Sequence, residues 1–181
     1  MKAPVGTALA PGAVVNLLLP FLAAVVAATP PPAVPRPTPE PRATRVVVLK
    51  QARLLHLLAG NRVIRTYEIA LGREPLGPKE RHGDGRTPEG TYVLDWRNAR
   101  SAFYRSIHIS YPNEEDREHA RRLGVNPGGD IVLHGLPNGW GWLGASHRLR
   151  DWTLGCIAVT NEEMDEIWRL VPDGTPIVIN P

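Results

Sequence analysis

Asp151-Trp152-Thr153-Leu154-Gly155-Cys156-Ile157-Ala158-Val159-Thr160-Asn161-Glu162-Glu163 is the stretch from which the rest of the chain can be read. A loop ends at Gly155, an apolar run follows, and Thr160 opens a helix. Thr160 and Glu163 have capping-box spacing, in which each side chain accepts a hydrogen bond from the other residue's backbone N–H. Met164, Ile167, Trp168 and Val171 then recur at helical spacing and form a core-facing stripe, which Pro172 and Gly174 bring to an end. These are packing residues, not a cofactor box. Cys156 therefore lies where a loop turns into an apolar strand, just ahead of a helix that must pack on a sheet.

Working outward, the remaining segments are mostly short strands. Arg45–Leu49 is β-branched, and Leu54–Leu58 leads to the turn Ala59-Gly60-Asn61. Residues 63–71 alternate, as do residues 106–110. Residues 72–90 hold five glycines and three prolines and form a long loop before a strand over 90–94. Ile131-Val132-Leu133 and residues 175–179 complete the set. A second helix starts at Asn113, carries acids in its first turn and stops at Gly124; its thin apolar face puts it on the surface. The outline is mainly β with two helices, and a sandwich suits it better than an alternating parallel α/β sheet.

The chain has 181 residues, and ten of its 19 prolines fall in the first 42. Lys2 precedes a mostly apolar run from Ala13 to the small residues Val26-Ala27-Ala28, so residues 1–28 read as a signal peptide or membrane anchor. The run is short for a spanning helix, which favours cleavage near Ala28. Residues 29–43 form a Pro-rich linker expected to run as a stiff polyproline spacer. Residues 44–181 are then one domain of ordinary size, exported to the periplasm or cell envelope. Any membrane attachment would come only through the N-terminal segment.

The sequence pI of 9.3 overstates the basic character. Residues 43–181 carry 18 basic and 17 acidic groups, and the arginines are scattered among acids. Such a surface lacks the basic stripe of a nucleic-acid binder. No phosphate-binding glycine loop is present, which argues against nucleotide cofactors. Cys156, His134 and His147 are available for a zinc site, but no close-spaced ligand pair is present. No metal or other cofactor is expected.

Cys156 is the sole cysteine, and an exported lone thiol is either buried and inert or kept for its chemistry. Ile131-Val132-Leu133 delivers His134-Gly135 upstream of it. A neighbouring imidazole can take the thiol proton, and the resulting thiolate attacks a carbonyl carbon. The carbonyl of Gly135 is a candidate acceptor for the other ring nitrogen. The N–H groups of Leu154, Gly155 and Cys156 are candidate oxyanion donors. Between His134 and Cys156, Trp140 and Trp142 flank Gly141, and they suit either a lid over the site or a small satellite core.

His134-Gly135 followed by Thr153-Leu154-Gly155-Cys156-Ile157 resembles the His-Gly … Ser/Thr-x-Gly-Cys-Ile/Val signature of L,D-transpeptidase catalytic domains, the YkuD-like family. Asp84-Gly85-Arg86-Thr87-Pro88-Glu89-Gly90-Thr91-Tyr92 resembles the Thr-Pro-x-Gly stretch of the same domains, and the likeness runs over residues 44–181. It implies a β-sandwich-like L,D-transpeptidase catalytic domain acting on peptidoglycan stem peptides, in cell-wall biogenesis and cell shape. Cys156 would be the nucleophile, His134 the base, Gly135 the orienting carbonyl and Thr153 the Ser/Thr position. The thioester would form on the third stem residue, usually meso-diaminopimelate, with loss of the terminal D-Ala. An amine acceptor would then give a 3→3 cross-link. Water would instead make the protein an L,D-carboxypeptidase or amidase, and an inert thiol would leave a tethered wall-binding module. One position departs from the pattern: many members have Arg two residues after the Cys, where this chain has Ala158. Arg148 and Arg150 are the candidates to supply the missing cation.

Overall fold

A computed structural model of the chain describes residues 40–181; the expected export segment and all but the end of the Pro-rich linker lie outside the described residues. The strands are β1 Arg45–Leu49, β2 Leu54–Ala59, β3 Arg62–Glu68, β4 Gly90–Ser101, β5 Tyr104–Ile109, β6 Val132–His134, β7 Ile157–Ala158 and β8 Thr175–Asn180. They form one sheet in the order β3-β2-β1-β8-β4-β5-β6-β7. The helices are α1 Glu114–Leu123 and α2 Asn161–Leu170, with a 3-10 segment over Gly141–Leu149. The last strand in sequence, β8, lies at the centre of the sheet, parallel to β1 and antiparallel to β4.

The sandwich-like character expected from the strand pattern comes from a single sheet that curls on itself. Its two ends meet where Ala70, just past β3, bridges Ala158 on β7 through N–H···O bonds of 3.0 and 2.9 Å. This bridge covers backbone groups that an open edge would expose. Inside the curl, Val46, Leu55, Leu94, Ile109, Leu133 and Ile177 are fully buried. α2 packs Met164, Ile167 and Leu170 into that core, and Thr160 and Glu163 form the capping box. Trp168, expected in the core, is only partly buried and lies under the guanidiniums of Arg97 and Arg105, 4.8 and 5.3 Å from its centroid. α1 buries only Ala120, and its cap Gly124 has φ of 67°.

Three details depart from the sequence pattern. β4 runs on to Ser101 because the β4–β5 hairpin extends past the core. There Trp96 stacks on His108 at 5.1 Å instead of alternating into an apolar interior. The segment carrying Trp142 forms 3-10 turns kinked at Gly144. Packing also begins before residue 44. Ala43 is buried, its N–H donates to Leu170 O at 2.8 Å, and the Glu40 carboxylate pairs with Arg65 and Arg169.

Candidate active site

Strands β6 and β7 run parallel, with Leu133 opposite Ile157 and His134 opposite Ala158. Side chains alternate along each strand, so Leu133 and Ile157 enter the core while His134 faces the other way. Cys156, two residues before Ala158, shares the face of His134 as a diagonal neighbour. Sheet register thus joins two side chains 22 positions apart in sequence. Both line one cleft of about 480 Å³, together with Phe103, Trp152, Thr153 and Leu154.

His134 is 2 % exposed. Its Nδ1 lies 2.6 Å from the Gly135 carbonyl oxygen, which can only accept, so Nδ1 carries the proton and Nε2 keeps a lone pair. Phe103 and Trp152 hold the ring between them, at centroid distances of 4.6 and 5.7 Å. Burial pulls the imidazole pKa down to about 4, against the opposing pull of the Gly135 carbonyl. The ring is a neutral base at ordinary pH.

Cys156 is half-buried, with Sγ 3.7 Å from Asp130 O. Burial pushes its thiol pKa up, and the Val132 backbone and the Lys79 ammonium oppose that rise. The resting pair is therefore thiol plus imidazole.

The turn that presents the sulfur is held by hydrogen bonds and glycine contacts. Thr153 Oγ1 donates to Cys156 O at 2.7 Å and accepts from Gly155 N–H at 3.1 Å. Gly155 has φ of 128°, and a Cβ there would lie 2.5 Å from Arg86 O. The 72–90 loop packs directly on this turn, and Thr87 Oγ1 accepts from Gly72 N–H at 3.0 Å. Asp151 ties the loop to β2's start, accepting from Arg53 at 2.7 Å and from Leu71 N–H at 2.8 Å. Gly135 is required for space, since a Cβ would sit 2.7 Å from Asn161 Oδ1.

Of the residues expected from sequence, Cys156, His134, Thr153 and Leu154 line the cleft, and Gly135 and Gly155 shape it. The Gly155 N–H is committed to Thr153, so of the three expected oxyanion donors only the Leu154 and Cys156 amides remain without an acceptor among the described residues. Trp140, Trp142, Arg148 and Arg150 do not line it. Trp140 borders a neighbouring hollow of about 590 Å³ across Trp152, and Trp142 is 79 % exposed. Neither fills a satellite core. Arg148 is bound to Glu163 and Glu68, and Arg150 borders the adjoining hollows. Ala158 is fully buried and forms the closing bridge to Ala70. His147 is buried in the 3-10 segment, and among the described residues no group of three or more His, Cys, Asp or Glu converges on a metal position.

Sequence reasoning missed Phe103, Trp152, Lys79 and His82, all on the cleft wall. Trp152 stood inside the quoted motif stretch and offered a signal. Phe103 sits on a turn and Lys79 in the long loop, where no periodicity marks a position.

A curled, mainly β domain presenting a Cys–His pair where the parallel strands β6 and β7 adjoin defines the class. The sequence model of the L,D-transpeptidase catalytic domain (YkuD) matches residues 43–179. The chain belongs to that family. It is 31 % identical over 111 residues to the Escherichia coli K12 protein named "Putative L,D-transpeptidase YafK", a match covering 60 % of this chain and 37 % of that one. Among solved structures, the helical cell shape determining protein Pgp2 of Campylobacter jejuni aligns with a TM-score of 0.60 at 25 % identity, over 78 % of this chain and 48 % of that one. The L,D-transpeptidase of Xylanimonas cellulosilytica shares the fold, with a TM-score of 0.50 at 18 % identity over 80 % of this chain and 64 % of that one. The chain thus spans less than half the length of the YafK and Pgp2 proteins.

Proposed function

We propose that this domain is an exported cysteine acyltransferase that acts on peptidoglycan stem peptides through a thioester at Cys156. The observation that carries the reading is the shared cleft of Cys156 and His134, with the imidazole already oriented by Gly135. The Cys156 sulfur attacks the carbonyl carbon of the third stem residue as its proton passes to His134 Nε2. The free Leu154 and Cys156 amides suit the developing oxyanion, a stabilisation of about 3 kcal/mol per donor. Collapse breaks the C–N bond, His134 returns the proton to the leaving amine, and D-Ala departs. An amine of a second stem then opens the thioester, giving a 3→3 cross-link and restoring the thiol.

Water as the acceptor is the second reading, which would make the protein an L,D-carboxypeptidase or amidase. The alanine at position 158 favours it, because the cation common there in the family is missing. The test is acylation by a carbapenem followed by product analysis. Intact mass should show one adduct, lost in both Cys156→Ala and His134→Ala. No adduct on the unaltered protein would favour a wall-binding module. With muropeptides, new 3→3 cross-links identify the transferase, and trimmed stems alone identify the hydrolase.

A further inference from the structure

Two lysines are buried in this domain, and they differ in one respect. Lys50 spends all three N–H groups, on Gly77 O at 2.6 Å, Thr87 O at 2.9 Å and Glu89 Oε1 at 2.7 Å. It is a structural cation. Lys79, with its side chain 3 % exposed, spends two, on Asp84 Oδ1 at 2.7 Å and Arg81 O at 3.0 Å. Its third N–H has no acceptor among the described residues, and the side chain lines the same cleft as Cys156 and His134.

We infer that Lys79 is the carboxylate-binding residue of this cleft, holding an acidic group of the peptide substrate beside the thiol; the assignment rests on the acyl-transfer reading above. A buried ammonium is costly to desolvate unless its donors are met, so a free N–H on a cleft wall marks a place for an anion. Asp84 pairs with the ammonium but leaves that third N–H unspent. Its two oxygens also accept from the N–H groups of Glu80, Arg81 and Arg86 at 2.8, 3.0 and 3.1 Å. The expected cations are elsewhere: Arg148 is tied to glutamates, Arg150 borders other hollows, and position 158 is a sealed alanine. Asp130 also lines the cleft and repels a carboxylate, which favours the end formed by Lys79 and His82. The influence of Lys79 on the Cys156 thiol agrees with this closeness.

A stem peptide offers such a group at two places, the terminal carboxylate of the leaving residue and the free carboxylate of the third residue. Three synthetic tetrapeptides separate them: the free acid, its C-terminal amide, and the peptide amidated on the third side chain. Each is given to the full-chain protein, to Lys79→Met and to Lys79→Arg, and release of the fourth residue is followed. The unaltered protein should lose roughly 10- to 100-fold in kcat/KM on one amidated peptide, chiefly in KM. The affected peptide names the carboxylate. Lys79→Met should lose as much on the free acid and cease to discriminate, while Lys79→Arg retains the preference. Equal turnover of all three peptides by the unaltered protein would overturn the assignment, whether or not the variants fold. An equal loss by Lys79→Met on every peptide would do the same. Release from none of the three overturns the acyl-transfer reading itself, and this assignment with it.

Discussion

A methyl group on Gly155 would sit 2.5 Å from the carbonyl oxygen of Arg86, on a backbone whose φ of 128° already disfavours any side chain. Gly155→Ala should therefore cost roughly 2–4 kcal/mol in urea unfolding and abolish carbapenem acylation, because the turn that aims the sulfur must shift. An unchanged unfolding midpoint would show that the loop yields freely. The thiol one position on offers a second check at this scale. Burial raises its pKa above the ordinary 9.0. Alkylation by iodoacetamide should keep rising with pH beyond 9, and Lys79→Met should move the curve further upward. A plateau below pH 8 would mean a preformed thiolate. The pairing of Cys156 with His134 and the Gly135 carbonyl was legible in sequence because those groups sit inside short motifs. Lys79 was not, since its role depends on which N–H groups the folded loop leaves without an acceptor.

Helix α2 has its start encoded in two residues, Thr160 and Glu163, and the structure shows both bonds of the capping box. Thr160→Ala should cost about 1 kcal/mol in denaturant unfolding, with acylation retained. The elements legible beforehand are those with such local signals: both helices, the short β-branched β1, and the glycine stop after α1. The end of β4 was hidden because residues 95–101 lie beyond the core and show no apolar alternation. The curl of the sheet was equally hidden, since the meeting of Ala70 and Ala158 is a long-range pairing with no trace in either segment alone. The 3-10 turns after Trp140 were hidden too, since a Gly- and Trp-rich loop carries no helical period. Replacing Trp140 and Trp142 by Ala should leave the melting temperature nearly unchanged, given their exposure of 56 and 79 %. A fall in turnover without a fall in melting temperature would identify the segment as a lid.

For the whole molecule, two buried imidazoles tie stability to pH. His134 and His147 each have pKa lowered by burial from 6.5 to about 4. Unfolding lets them bind protons that the native state refuses. Their contribution is therefore complete above about pH 6.5 and is lost as pH falls toward 4, on the order of 2–3 kcal/mol for each ring. Urea unfolding at pH 7, 5.5 and 4.5 should show that decline, and His147→Gln should flatten part of it. A stability independent of pH across this range would mean both rings are protonated in the native state at little cost. The position of β8 bears on how such a domain comes to exist. It joins β1 on one side and β4 on the other, yet it follows every other described strand in the chain. Without it, the pairing between the N-terminal strands and the strands bearing the nucleophile is that of the bridges Ala70–Ala158 and Gly72–Thr153. A polypeptide lacking that strand would keep its thiol and imidazole together on one half of the sheet, with those bridges left to join that half to the other.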